Sequence, residues 1–363
     1  MNDHHSGPPT PEENPTPPSP ARRRLLLMLA ATGSAAAAEL LLPAEWMAPL
    51  LRIGVLPVHA QGSFPTPTAT PPPTATPPPT ATPPPTATPP PSWVPQSSGT
   101  SAALNSLWGT EANNVWAVGD AGATLQWNGI DWSLQPNNIP ETLHALWGRE
   151  ANNVWAVGDA GATLQWNGTD WSPQPNNIPE TLHALWGTEA NNVWATGTNG
   201  IFLQWDGTVW TPRSSSTQET LHALWGTEAN NVWSAGTNGT LLQWNGADWS
   251  PRPGGTQETL YALWGTETNN IWAAGTNGTL LQWDGIAWTP RPSGTQETLH
   301  AIWGTEANNI WAAGTNGTLL QWNGIVWTPR SSSTQETLHA LWGTEANNIW
   351  AAGTNGTLLR RAL

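Results

Sequence analysis

A Trp-Gly pair recurs at Trp108, Trp147, Trp186, Trp225, Trp264, Trp303 and Trp342, always 39 residues apart. No insertion or deletion breaks the series. Self-similarity at one fixed period in this range is the mark of a repeat architecture, in which each unit is one supersecondary element that buries its faces only against its neighbours.

In the copy that opens at Trp303, four short apolar runs occupy 299–303, 310–313, 318–322 and 325–328. Thr315-Asn316-Gly317 separates the second run from the third, and Asn323-Gly324 the third from the fourth. An Asn-Gly pair between apolar runs predicts a two-residue hairpin of type I′, in which both residues take φ > 0. Pro329 ends the fourth run, because proline has no N–H to give to a ladder. No segment of the unit keeps a helical period. Four antiparallel strands in about 40 residues match one propeller blade, and an open solenoid of stacked sheets is the rival.

The ends of the repeat region discriminate between the two. The seventh unit starts at Trp342 and ends at Leu363 after its third strand. In complete units the fourth-strand Trp precedes the next Trp-Gly by 15 residues, as Trp132 precedes Trp147, and Trp93 precedes Trp108 by the same interval. Gln96 likewise stands where Gln135 and Gln174 stand. A detached fourth strand is useless to a solenoid, whereas in a ring it removes the exposed edge of the last sheet. The expectation is an all-β, seven-bladed propeller of four-stranded antiparallel blades over 92–363, closed by the N-terminal strand on the last blade.

Upstream, Arg22-Arg23-Arg24 precede the apolar run 25–31, which reads as an export signal within 1–60, of the Sec or twin-arginine kind. Cleavage after Ala60 or Ala38 is expected, and an uncut segment would remain as a membrane anchor. In the spacer at 61–91, Thr-Ala-Thr-Pro-Pro-Pro occurs four times from Thr68 to Pro91. Such a tract cannot build a core. It favours extended polyproline II, spanning roughly 75 Å at about 3.1 Å per residue. The predicted location is extracellular or at the cell surface.

The pattern Trp-Gly-x-x-x-Asn-Asn-Val-Trp-Ala-Val-Gly, then Gly-x-x-Leu-Gln-Trp-Asn-Gly-x-x-Trp, runs from Trp108 to Trp132. It resembles secreted bacterial Trp-rich propeller repeats of the BNR/Asp-box, Ycf48-like and WD40-like kind. The resemblance implies architecture and carries over no catalytic residue. Gly129 and Trp132 fit an Asp-box, but Leu125 and Trp127 stand where its Ser and Asp belong.

Composition narrows the partners. The chain has no Cys, so neither disulfides nor thiolate chemistry are available. From Trp93 onward 20 Asp and Glu face 7 Arg, and there is no Lys. That balance repels nucleic acid and anionic membranes. Of 28 Trp, each complete unit carries four, expected between stacked sheets with indole N–H groups reaching loop carbonyls. Arg361 replaces the third-strand Trp of the seventh unit and is expected at an exposed chain end.

Three sets of side chains are candidates for binding. His144, His183, His222, His300 and His339 share one first-strand position, with Asn105 and Tyr261 in the other two copies. They would ring the central channel, too widely spaced for one metal ion, and no metal or cofactor is assigned. The fourth-strand Trp132, Trp171, Trp210, Trp249, Trp288 and Trp327, taken to lie near the rim, are candidates for stacking on sugar rings. Gln218, Glu219 and Asn238 represent the loops in which the copies differ most: the links between units and the second-to-third turns. Both emerge on one face of a propeller, and loops carry function more than scaffolds do. The Glu set from Glu111 to Glu345 and the rim set Arg213, Arg252, Arg291 and Arg330 read as turn formers and solvated surface.

Catalysis needs dissimilar groups converging on one substrate. Near-identical units instead present one group many times, which favours avidity. The expected function is a monomeric, non-catalytic binding module for glycan or extracellular protein. The alternatives are a sialidase-like hydrolase or lyase, and a structural scaffold.

Overall fold

The computed structural model describes residues 92–362. The export segment and the spacer read from the sequence lie outside the described residues. The chain forms seven four-stranded antiparallel sheets arranged as the blades of a closed propeller. In blade 1 the strands are β2 (Leu104–Glu111), β3 (Asn114–Gly119), β4 (Thr124–Trp127) and β5 (Trp132–Leu134). First strands of successive blades pack side by side, the first of blade 1 against that of blade 7, so they enclose the central channel.

The ring closes as the 15-residue interval predicts. β1 (Ser92–Gln96) pairs antiparallel with the strand Leu358–Ala362, with Trp93 opposite Arg361 and Gln96 opposite Leu358. The same register places Trp132 opposite Trp127 in blade 1. Blade 7 therefore takes its fourth strand from the start of the ring, and its third strand, Leu358–Ala362, is paired on both sides.

The core lies between blades rather than in a hub. Each seam is a separate cluster with contributions from two neighbours; one joins Leu104, Val115 and Trp132 of blade 1 to Trp350 and Leu358 of blade 7. A second-strand Trp anchors every seam: Trp116, Trp155, Trp194, Trp233, Trp272, Trp311 and Trp350 are all at most 2% exposed. Trp116 lies 4.9 Å from Trp166 and, edge-on, 5.3 Å from Trp171, both in blade 2. Each such Trp buries roughly 150–250 Å² and gains about 0.5–1.5 kcal/mol more from the ring pairing. The expectation that these indoles reach loop carbonyls is corrected. The N–H groups of Trp116, Trp155 and Trp272 find no acceptor among the described residues, because they are enclosed by neighbouring rings, whereas Trp233 donates to Asn231 Oδ1 at 3.2 Å.

The Trp-Gly pair has its own physical reason. A Cβ on Gly226 would lie 2.7 Å from the Trp186 ring and 2.8 Å from the Asn231 carbonyl oxygen. The first-strand Trp of one blade thus rests on the bare backbone of the next, and only glycine leaves that room.

The turn chemistry meets the expectation at one connection and departs from it at the other. The type I′ turn is the second-to-third connection: Ala121 (φ 52°, ψ 37°) and Gly122 (φ 69°) are both left-handed, and Ala123 N–H donates to the Asp120 carbonyl at 3.0 Å. The Asn-Gly after the third strand opens a four-residue loop instead. Asn128 Oδ1 accepts from the N–H groups of Ile130 (2.9 Å) and Asp131 (3.0 Å), so the side chain replaces a backbone turn bond. Only Gly129 of that pair has positive φ.

Five blades place Asn at the left-handed turn position, but blades 1 and 2 place Ala121 and Ala160 there, each at φ 52°. Asn tolerates this region better than Ala, for which it costs roughly 1–2 kcal/mol. Ala121→Asn and Ala160→Asn are each expected to stabilise the fold by about 0.5–1 kcal/mol, measured as an increase in the urea midpoint. A decrease would show that the two turns are held by something other than their backbone preference.

Candidate functional site

The loop face is built from the links and the second-to-third turns. Glu219, in the link into blade 4, accepts from Thr237 Oγ1 at 2.5 Å and from Asn238 Nδ2 at 3.0 Å. The arrangement repeats at Glu258 with Thr276 and Asn277, Glu297 with Thr315 and Asn316, and Glu336 with Thr354 and Asn355. The backbone takes part as well: the Glu258 carbonyl accepts from Gly239 N–H of the preceding blade at 3.0 Å. Each such glutamate ties two neighbouring turns together. The threonine hydroxyl and then the asparagine amide hold each of these carboxyls below the usual range.

The structure therefore brings Glu219 and Asn238 together and leaves Gln218 and Asn238 exposed beside them. Thr237 and its counterparts were not among the sequence candidates. The signal was present, since a Thr-Gln-Glu link is followed 18 residues after the Glu by a Thr-Asn-Gly turn in four copies. In blades 1 and 2 the turn acid points elsewhere. Asp120 accepts from Asn105 Nδ2 at 3.1 Å, and Asp159 meets His144 Nε2 at 2.8 Å.

The five histidines do ring the channel. His144 and His183 have ring centroids 5.1 Å apart, and His183 and His222 5.0 Å. Tyr261 continues the series, 5.0 Å from both His222 and His300, and His339 follows at 5.2 Å. Burial, reinforced by neighbouring imidazoles, pushes His183, His222 and His300 down to about 4. His339 is lowered by burial against the opposing pull of Asp120. At neutral pH these four are uncharged rings packed on one another. Among the described residues no group of three or more acidic or histidine side chains has the spacing to hold a metal ion.

The fourth-strand tryptophans are a correction. Trp132, Trp171, Trp210, Trp249, Trp288 and Trp327 are only 4–9% exposed. Each stands edge-on to a second-strand Trp of the preceding blade, as Trp288 does to Trp233 at 5.4 Å. The fourth strand is outermost, but its tryptophan points along the seam, so it offers no face to a sugar. Arg361 is a second correction: it is partly buried against Trp311, with its guanidinium 4.9 Å from the ring. The rim arginines behave as read. Arg213, Arg252, Arg291 and Arg330 donate through Nε to a third-strand Gln of their own blade at 2.9–3.0 Å. In the turn that carries the repeated Glu, Asn114 links Thr110 to Gln126, which is a structural role.

No family model matches the chain, and no curated protein matches it. Solved structures do. Ycf48 from Cyanidioschyzon merolae aligns at a TM-score of 0.63 with 16% identity, covering 75% of this chain and 98% of that one. A Ycf48 structure described as bound to D1 peptide aligns at 0.64 with 15% identity over 77% and 96%. The WD40 β-propeller domain of Doa1 aligns at 0.64 with 10% identity over 74% and 94%. The likeness is one of fold. Propellers of the Ycf48 and WD40 kind are its structural neighbours, as the repeat pattern implied.

Proposed function

We propose that this propeller is a non-catalytic module that binds a protein partner on the face carrying the links and second-to-third turns. The observation that carries the proposal is the Glu-Thr-Asn arrangement on four consecutive blades, each beside an exposed Asn and Gln. Rigid, repeated polar groups suit a partner that engages several blades at once, since linked weak contacts gain affinity without any new contact. The neighbour described as bound to D1 peptide supports the same reading. The glycan alternative loses its main support with the burial of the fourth-strand tryptophans. A sialidase-like reaction lacks converging acid, base and arginine among the described residues. Export, and presentation on the Thr-Pro spacer, remain part of the proposal on sequence grounds.

The test is a parallel screen of the full chain on peptide and glycan arrays, repeated with Gln218→Ala/Asn238→Ala combined with Asn277→Ala and Asn316→Ala. Asn238, Asn277 and Asn316 hold left-handed turn positions, so each Ala costs about 0.5–1 kcal/mol, and a melting curve confirms that the variant is folded before binding is read. Peptide binding that falls at least tenfold in the variant is the expected result. Glycan-only binding, or peptide binding indifferent to the substitutions, would rule the proposal out.

A further inference from the structure

The seam where the ring closes differs from the other six. Elsewhere a second-strand Trp meets two tryptophans of the next blade, as Trp272 meets Trp322 at 5.0 Å and Trp327 at 5.4 Å. At the closing seam Trp311 meets Trp93 at 5.5 Å, but the second place is taken by Arg361. A guanidinium is slimmer than an indole, and the seam opens into a cavity of about 510 Å³. Arg330 lines the same cavity, together with Ser92, Ser331 and Ser333.

Among the described residues no carboxylate balances the charge in that cavity. Arg361 gives one Nη to the Ala346 carbonyl, while its Nε is buried and has no acceptor among the described residues. Arg330 is held through Nε by Gln321 Oε1 at 3.0 Å, which leaves its Nη groups uncommitted. Among the described residues the arginine–carboxylate pair is Arg149–Glu189, so neither Arg330 nor Arg361 has a carboxylate within 4.0 Å. Burial and the proximity of Arg330 lower the Arg361 pKa. In a chain of net charge −14, two cations face one half-enclosed cavity with no carboxylate against them among the described residues, an arrangement in want of an anion. The apolar floor of Trp93 and Trp311 weakens competition from water and strengthens any charge pair formed there.

We propose that the closing seam is a binding site for a small oxyanion, a carboxylate or a phosphate, held between Arg330 and Arg361 with the serine hydroxyls as further donors. Arg330 belongs to blade 6, Arg361 to the last strand and Ser92 to the first, so a bound anion bridges the joint of the ring. Anion binding should therefore raise the unfolding temperature as well as register as binding.

The test titrates the full chain with inorganic phosphate and, separately, with glucuronate at pH 7, against sodium chloride of equal ionic strength. Thermal unfolding is the main readout, with tryptophan fluorescence, to which Trp93 and Trp311 contribute two of 28 emitters, as the second. A saturable rise of a few degrees with a fluorescence change is expected, and the anion that produces it tells phosphate from carboxylate. Arg330→Gln should abolish both effects, while Arg213→Gln, at the equivalent place in blade 3, should keep them. Arg361→Trp should abolish binding and, by restoring the three-indole seam, raise the unfolding temperature of the free protein. No effect of either anion up to 10-millimolar order, or the same effect in Arg330→Gln, would overturn the proposal.

Discussion

Deleting Ser92–Gln96 is expected to convert the closed ring into an aggregating, open arc. The strand contributes Trp93, which is 4% exposed, and covers the edge of Leu358–Ala362 in blade 7. Losing one buried Trp side chain alone costs about 3–5 kcal/mol. The deletion also bares a row of backbone donors and acceptors next to the exposed Trp311 ring, which is a template for pairing with another chain. For a domain of this size each kcal/mol is worth about 2 °C, so the unfolding temperature should fall by at least about 6–10 °C. Trp93→Ala should reproduce most of that loss while keeping the edge covered. Size-exclusion and thermal unfolding separate the contributions: the point variant should be monomeric and unstable, the deletion unstable and associated. An unchanged melting temperature in the deletion would mean that closure contributes nothing.

Acid should destabilise the ring in two stages. His183, His222 and His300 sit at about 4 in the folded protein, against about 6.5 when unfolded. The folded state thus binds fewer protons than the unfolded chain between these values. The stability they supply is complete above pH 6.5 and disappears as pH falls towards 4. The gap caps each histidine at about 3 kcal/mol; channel water screens the charge, so the three together supply on the order of 5 kcal/mol. The second stage belongs to Glu219, Glu258, Glu297 and Glu336. Their lowered values mean a contribution present above 4.5 and lost as pH drops further. Urea midpoints at pH 7, 5.5 and 4.5 measure the first stage. Replacing the three histidines by Asn, the residue at position 105 of the same ring, should flatten it and leave the second stage in place. A midpoint that holds steady from pH 7 to 4.5 would show that the imidazoles are freely solvated.

The architecture was legible because its signals were one-dimensional. The 39-residue interval and the displaced Trp93 needed only counting. One of the two turns was misread because Asn-Gly has two ways to turn a chain: Asn238 adopts the left-handed backbone as expected, while Asn128 uses its side-chain oxygen and keeps an ordinary φ. The fourth-strand tryptophans were misread because distance from the axis was taken for exposure. Blades pack face to face as far as their outer strand, so Trp132 is covered by Trp350 of its neighbour. The closing-seam cavity was out of reach for a different reason. Arg361 could be seen to break the pattern, but its partners Arg330 and Trp311 lie in another unit, and only the closed ring places all three together.

Closure between the first and last strands also decides when the molecule can become stable. β1 leaves the ribosome before any blade exists, and its partner strand is made only after the six complete blades between them. Until then its backbone groups and Trp93 have no native place, and the growing arc carries a free edge. Pairing across nearly the full length of the ring carries a high loop-closure cost and is intrinsically slow. A nascent chain therefore passes through a sticky stage that ends in a single late event. During that interval a chaperone or a sister chain would compete directly with β1 for the same row of hydrogen bonds.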